Sequence, residues 1–145
     1  MRRRGTNDMG RVTVEVELTN AEDLVLAKRG VIPSDQVRRV RMAGTVDTGA
    51  NYLVLPAEAA KQLGVPDAGK ATVRYADNRK SSRKVVENVR VDLLGRHGNF
   101  KAIVEPKRTD VLIGAIILED MDLLVDCSTQ TLQPRDPKQI IAEIE

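Results

Sequence analysis

Residues 44–56 read GTVDTGANYLVLP, so an apolar strand ends in an aspartate and a second apolar run begins six residues later. On its own, Asp-Thr-Gly-Ala is typical of a β-turn in which the aspartate side chain accepts a backbone hydrogen bond. Here Asp47 directly follows apolar Val46, and residues 53–55 are again apolar. We therefore expect the Asp47 carboxylate to lie beside a hydrophobic core and not on a remote surface loop.

The sequence on either side alternates between apolar and polar residues with a period of two, which is typical of strands that bury one face. The alternation is clearest in residues 11–18, 37–46 and 89–93. Further strands are predicted at residues 53–55, 71–75, 80–86, 99–104, 111–113, 123–126 and 131–133, turns at 76–79 and 95–98, and short helices at 24–28, 56–63 and 114–119. Many short strands with few short helices predict an all-β barrel or sandwich.

The length of 145 residues, with 41% apolar and 30% charged residues, fits one globular domain. We expect a disordered basic tail at residues 1–10, a single domain at 11–134, and at 135–145 a tail that forms a short helix or a dimer contact. The net charge of +2 depends on the arginines at positions 2–4, without which acidic residues outnumber basic ones by one. This weak basic character gives little support to nucleic-acid binding, and we expect no nucleic-acid partner.

The sequence also does not predict a membrane protein or a metal-binding protein. The longest apolar run, residues 111–118, is far shorter than the roughly 18–20 residues that a membrane span requires. The segment after the N-terminal arginines lacks the apolar stretch of a signal peptide, so we expect a cytoplasmic protein without a membrane partner. One cysteine, Cys127, and one histidine, His97, exclude an intrachain disulfide and a His/Cys zinc cage in the monomer. We expect no metal and no cofactor.

Several other residues could carry chemistry, and each has a simpler interpretation. His97 falls in a predicted turn and is expected to be exposed, and Cys127 is expected to be a bystander thiol. A calcium loop is conceivable for the acidic residues Glu119, Asp120, Asp122 and Asp126. They lack the spacing and the glycine of such a loop, which favours a solvated helix end.

Two motifs together resemble the retropepsin-like aspartic proteases, the single-domain group that includes the retroviral proteases. The first motif is residues 46–50, VDTGA, followed by Val54-Leu55-Pro56, and the second is residues 111–114, VLIG. Between them lie a predicted hairpin and a strand–turn–strand segment, so the resemblance covers about residues 37–126. The ending LLVD and the turn YADNR are most similar to the bacterial, non-viral branch. The resemblance implies a closed or partly open β-barrel of the retropepsin-like acid protease type, with one or two short helices and a flap hairpin.

The resemblance implies an aspartic endopeptidase that hydrolyses a peptide or protein substrate with Asp47 as its catalytic residue. Peptide hydrolysis by this chemistry needs two carboxylates around one water, and each chain supplies one. In the second motif, Ile113-Gly114-Ala115, the counterpart position is Ile113, which has no carboxylate. A homodimer that brings two Asp47 residues together is therefore expected.

The neighbours of Asp47 take supporting roles in this resemblance. Thr48 is expected to cross the dimer axis, and Gly49 to let its amide approach the carboxylate where a side chain would clash. Ala50 lacks the hydroxyl that would stabilise an ionised carboxylate, so we expect an activity optimum at weakly acidic to near-neutral pH. The viral arginine and aspartate that pair in this region are replaced by Ala115 and Asn51, which predicts a dimer interface unlike the viral one.

The candidate flap is residues 71–86. Its tip, which is expected to bind substrate, consists of Tyr75, Ala76, Asp77, Asn78 and Arg79. Viral flap tips are rich in glycine and this one has none, so a stiffer flap is expected. The hairpin also carries many basic residues, which favours a charged edge that prevents aggregation over a preference for acidic substrates.

Two other functions stay open at this point. A catalytically silent barrel of the same fold would bind peptides or assemble a larger complex. A basic nucleic-acid-binding module is supported only by the N-terminal arginines and the basic hairpin, with no recognition motif.

Overall fold

The computed structural model describes residues 11–145, and the tail expected at residues 1–10 lies outside the described residues. The described chain contains nine strands, three α-helices and one 3₁₀ turn at Ser34–Gln36. In chain order the elements are β1 (Val12–Asn20), α1 (Ala21–Lys28), β2 (Arg39–Val46), β3 (Leu53–Pro56), α2 (Ala57–Leu63), β4 (Asp67–Arg74), β5 (Lys80–Leu93), β6 (Arg96–Glu105), β7 (Val111–Ile113), α3 (Ala115–Met121), β8 (Leu123–Asp126) and β9 (Thr131–Pro134). In the part of the chain that the structure describes, no helix has the length and apolar character to cross a membrane.

Six strands form a closed barrel in the order β1-β2-β7-β3-β6-β5, and pairing of β5 with β1 closes it. The pairs β2–β7 and β3–β6 are parallel, and the others are antiparallel. β4 extends from the barrel as the outer arm of the hairpin with β5, and β8 and β9 form a separate two-stranded sheet. The predicted all-β closed barrel is confirmed, the sandwich alternative is wrong, and there are three α-helices where the resemblance implied one or two.

The apolar positions of the alternating strands fill the barrel. The largest fully buried side chains come from the strands and from α2 and α3, and they include Leu18, Leu53, Leu55, Leu63, Leu93, Ile113, Ile117 and Met121. Burial of one such side chain contributes about 1.5–3 kcal/mol to folding. The hydrophobic core therefore lies directly behind the strand ends that carry the two motifs.

Local signals set the helix ends. The Asn20 side chain accepts a hydrogen bond from the Asp23 amide and caps α1, as the spacing of these residues predicts. The same side chain donates 2.8 Å to the Leu63 carbonyl and so joins α1 to the end of α2. Gly64 ends α2 with a positive φ of 64°, which a glycine adopts without strain. Pro56 precedes the helix as its cap and does not occupy its first turn.

Two predicted boundaries are wrong. The second hairpin turns at Leu94 and Gly95, with φ of 52° and 80°, so β6 begins at Arg96 and the predicted turn at residues 95–98 is mostly strand. A register shift between Val86 and Val89 lets β5 run continuously through what the sequence divides into two strands.

Residues 135–145 contain no helix. Instead the tail lies against the end of α3, where the Ile141 amide donates 3.0 Å to the Asp122 carboxylate. The Arg135 side chain donates to the same carboxylate at 2.7 Å. The short helix expected for the tail is therefore wrong, and the expected dimer contact stays a prediction.

Candidate active site

The Asp47 loop is a tight turn at the end of β2. The Asp47 amide donates 3.0 Å to the Ile113 carbonyl of β7, and the Ala50 amide donates 3.2 Å back to the Asp47 carbonyl. The Gly49 amide donates 2.9 Å to Oδ1 of Asp47. The backbone therefore fixes the start of the loop on β7 and gives the carboxylate one hydrogen-bond donor.

The second motif supports this loop from behind. In the parallel ladder Val46 is level with Ile113, so Gly114 is the next residue beside Asp47. At the start of α3 the Ala115 amide donates 2.8 Å to the Ala50 carbonyl, and the Ile116 amide donates 3.0 Å to the Asn51 carbonyl. Loop carbonyls thus satisfy the free amides at the helix N-terminus, and the two motifs form one unit.

The glycines of the two motifs differ in their surroundings. A Cβ at Gly114 would lie 2.5 Å from the Tyr52 carbonyl oxygen and 2.8 Å from that of Ala50. A Cβ at Gly49 would meet only Oδ1 of Asp47, at 3.2 Å. The Gly49 amide thus donates to the Asp47 carboxylate, but the steric clash expected for a side chain at Gly49 is mild in a single chain and severe at Gly114.

The Asp47 side chain lies at the surface of the protomer, and Thr48 and Gly49 are also exposed. The position level with Asp47 in the second motif is Gly114 and not Ile113, the counterpart expected from the sequence, because Ile113 is level with Val46. Gly114 offers no carboxylate either. Two large apolar side chains beside the loop are exposed as well, Tyr52 at 51% and Ile116 at 42%. One protomer therefore presents a single carboxylate in a partly apolar surface.

The predicted hairpin tip is a closed turn. The Asn78 amide donates 2.9 Å to the Tyr75 carbonyl, and the Tyr75 amide donates 2.9 Å to the Arg79 carbonyl. Asn78 has a φ of 68°, a conformation that asparagine tolerates and that the sequence signal of this turn predicts. Asp77 accepts hydrogen bonds from the side chain and the backbone of Arg79, which hold its pKa below the ordinary value.

The sequence contains no signal for Glu105, which binds the hairpin tip. Its carboxylate accepts a hydrogen bond of 2.6 Å from the Tyr75 hydroxyl and one of 2.5 Å from Nε of Arg83. Burial opposes ionisation of Glu105, but these two hydrogen bonds keep its pKa below the ordinary value. The hydrogen bond to Glu105 raises the pKa of Tyr75, and burial adds to this effect.

Three of the five basic side chains at residues 71–86 have acidic partners. Arg79 pairs with Asp77, Arg83 with Glu105, and Lys84 with Asp67. Such neutralised pairs present less net positive charge than the sequence implies, which weakens the support for a nucleic-acid interface.

The other residues singled out in the sequence lie away from the Asp47 loop. His97 is exposed on β6, and Cys127 is exposed after β8. Hydrogen bonds from Arg135 and then from the Ile141 amide lower the pKa of Asp122. Hydrogen bonds from Ser128 lower the pKa of Asp126. Both carboxylates thus serve local structure, and in residues 11–145 no group of three His, Cys, Asp or Glu side chains is arranged to hold a metal ion.

Comparison with known proteins gives structural similarities to foamy virus proteins. The solution structure of simian foamy virus (mac) protease is 11% identical, with a TM-score of 0.47 over 73% of this chain and 90% of that one. A foamy viral protease–reverse transcriptase in complex with an RNA/DNA hybrid is 20% identical, with a TM-score of 0.45 over 54% of this chain. The match spans 10% of that longer protein. No curated protein matches the chain.

A family model described as aspartyl protease matches residues 34–116, more than half of the chain. The matched segment contains the Asp47 loop, the hairpin and the glycine of the second motif. The resemblance noted from the sequence is thus confirmed at the level of the family, while the bacterial branch stays a prediction. With one Asp-Thr-Gly loop on a closed six-stranded barrel, this chain belongs to the aspartyl protease family as a retropepsin-like member.

Proposed function

We propose that this chain is an aspartic endopeptidase that works as a homodimer, with Asp47 of each subunit as the catalytic residue. One observation carries the proposal. A carboxylate lies exposed on a loop that the second motif holds rigidly, and the position beside it in that motif carries no carboxylate. A second copy of the same loop is the simplest source of the missing group, because a two-fold axis brings identical positions together.

The chemistry requires two carboxylates that share one proton. Like charges at such short range cannot both ionise, so one group is protonated and the other is not. The ionised carboxylate takes a proton from water as the water oxygen attacks the peptide carbonyl carbon, while the protonated one donates to the carbonyl oxygen. The tetrahedral intermediate then collapses, the C–N bond breaks, and the leaving nitrogen takes up a proton. No cofactor is needed for these steps.

The surroundings of the loop suit a contact between two subunits. Exposed Tyr52 and Ile116 flank the loop and would be buried when two loops meet. The Thr48 hydroxyl, exposed in the protomer, is the group proposed to cross the axis and bind the partner loop. Ala115 and Asn51 stand where the viral proteins have an ion pair, so this contact does not depend on that pair.

The β4–β5 hairpin is the proposed flap. It extends from the barrel as a two-stranded arm with a closed turn at residues 75–79. Such an arm can cover an extended peptide, add main-chain hydrogen bonds and exclude water from the reacting bond.

Subunit mixing tests the proposal. Asp47→Asn is expected to lower the rate of peptide cleavage at least about thousandfold, because it removes the general base and acid. The variant keeps an oxygen that can accept from the Gly49 amide, so its fold and its dimer mass stay unchanged. When wild-type subunits exchange with a tenfold excess of this variant, only about a tenth of the wild-type activity remains, because each mixed dimer has one carboxylate.

Asp35→Asn is the matched control, since Asp35 is an exposed aspartate of the 3₁₀ turn. An excess of this variant should leave the activity of the wild-type subunits intact. Full cleavage by Asp47→Asn, or activity per chain that stays constant on dilution to the monomer, contradicts the proposal. Retained peptide binding without any cleavage by the wild type would instead identify the chain as a silent binding module.

A further inference from the structure

The carboxylate of Glu105 joins the end of β6 to residues of the β4–β5 hairpin that lie more than 20 residues earlier in the chain. It lies at the end of β6, and it accepts hydrogen bonds from Tyr75, which follows β4, and from Arg83 of β5. The Glu105 side chain is 18% exposed and that of Arg83 is 27% exposed. Because both carboxylate oxygens have a donor and the site is partly shielded from water, these contacts are stronger than ordinary surface ion pairs.

The tip of the hairpin is braced around the same tyrosine. The Arg79 guanidinium lies 4.6 Å from the centre of the Tyr75 ring. Asp77 holds Arg79 from the other side, with 2.9 Å between Oδ2 and Nε. A turn without glycine has little intrinsic freedom, and here side-chain contacts also fix it to the body of the protein.

A cavity of about 390 Å³ separates this tip from the segment that leads to β7. It is lined by Tyr75, Arg79, Arg83, Glu105 and residues 106–108. Since β7 runs beside β2 towards Asp47 and adds one residue every 3.3 Å or so, the start of β7 lies about 10 Å from the Asp47 loop. The hairpin tip thus lines the same cavity as the segment that leads into the strand of the second motif.

We propose that Glu105 is a positioning residue that fixes the tip of the β4–β5 hairpin, through Tyr75 and Arg83, in the orientation in which it receives a substrate peptide. The consequence for catalysis depends on the proposed peptidase function, whereas the fixed tip does not. A hairpin that is ordered before binding loses less conformational freedom when a peptide arrives, which favours binding. In this chain the side-chain network supplies that order before a peptide binds.

Two measurements without substrate test the fixed tip. The chain has two tyrosines, so in a Tyr52→Phe background the absorbance change on phenol ionisation reports Tyr75 alone. Because Glu105 is the main cause of the raised pKa of Tyr75, Glu105→Gln should shift this titration to lower pH. The other charged groups around the phenol, Arg79, Arg83, Lys107 and Arg108, are unchanged in this comparison. In Tyr75→Phe, hydrogen exchange of the amides of residues 75–79 should become at least about threefold faster.

Lys84→Gln is the matched control, because it removes a 3.9 Å ion pair with Asp67 inside the same hairpin but does not touch the tip. It should change neither the phenol titration nor the exchange of residues 75–79. If Glu105→Gln leaves the titration in place and Tyr75→Phe leaves the exchange rates at the wild-type level, the proposal is overturned. Both results stand whether or not the chain cleaves peptides.

Kinetics then test the role in binding. For Tyr75→Phe we expect KM for a peptide substrate to rise about threefold to tenfold and kcat to stay within about twofold, because ordering of the tip precedes the chemical step. A KM that falls would mean that the contacts restrain the hairpin and do not present it to the substrate, which would overturn the positioning role. Absence of cleavage in the wild type, together with the expected titration and exchange results, would refute the peptidase function and leave the fixed tip established.

Discussion

Two strands of the barrel, β2 and β7, end side by side but lead into different structures. After β2 comes Asp47, in a loop that is exposed and has one amide directed at its carboxylate. After β7 comes buried Gly114, and α3 begins at the next residue with its amides on the carbonyls of the first loop. The first strand end presents the carboxylate that is proposed to be catalytic, and the second holds the loop of that carboxylate in place.

For the proposed active site, this division explains why one chain supplies only one of the two carboxylates. The second strand end cannot also carry a carboxylate in the same place, because a side chain on Gly114 would collide with the backbone of the first loop. The close packing of these two segments therefore leaves no room for a second carboxylate at Gly114. The proposed two-fold dimer would supply the second carboxylate from a second chain and would leave the support of each loop unchanged.

We expect the largest effect on stability at Gly114, the glycine that packs against the Asp47 loop. Gly114→Ala places a Cβ 2.5 Å from the Tyr52 carbonyl oxygen, and because the obstacle is backbone, the loop or the helix must move. We expect the free energy of unfolding to fall by about 3 kcal/mol, as measured by urea denaturation. If Gly114→Ala is as stable as the wild type, the Asp47 loop is not packed tightly against the start of α3, and the contrast between the two strand ends is lost.

Much of this arrangement can be predicted from the sequence because its signals are local. The strands around residues 11–18 and 37–46 are indicated by the alternation of apolar and polar residues, and α1 by the spacing of Asn20 and Asp23. Short motifs mark the Asp47 turn and the glycine before α3. Each of these depends on interactions between residues a few positions apart.

The remaining features depend on partners far apart in the chain. Pairing of β1 with β5, which closes the barrel, leaves no mark on the alternation of either strand, because the same pattern fits several partners. The contact of Tyr75 with Glu105 spans 30 residues and involves residue types that occur on any surface. The turn at Leu94 is not indicated by the sequence because leucine is an unusual residue at a positive φ.

Gly49, the glycine of the Asp47 loop, should tolerate substitution better than Gly114 does. A Cβ at Gly49 would meet only the carboxylate oxygen of Asp47, at 3.2 Å, and the loop is exposed. We expect Gly49→Ala to lower the free energy of unfolding by less than about 1 kcal/mol in the same urea experiment. A loss as large as that of Gly114→Ala would remove the contrast between the two strand ends. Under the proposed function the rate of cleavage should fall more than stability does, because the new methyl group touches the carboxylate proposed to be catalytic.

We expect the smallest effect at Ala50, where a substitution should shift the pH dependence of cleavage. Ala50 forms part of the Asp47 loop but has no side-chain hydrogen-bond donor. Ala50→Ser adds a hydroxyl that can donate to the ionised carboxylate of Asp47 and favour that form over the protonated one. The acidic limb of the pH–rate profile should therefore move to lower pH, while the peak rate stays within about threefold of the wild type. Ala50→Val adds bulk without a donor and should leave the position of that limb unchanged. If Ala50→Ser and Ala50→Val shift the acidic limb equally, packing and not hydrogen bonding sets the ionisation of the carboxylate in the Asp47 loop. Packing would then dominate at the end of β2 as it does at the end of β7.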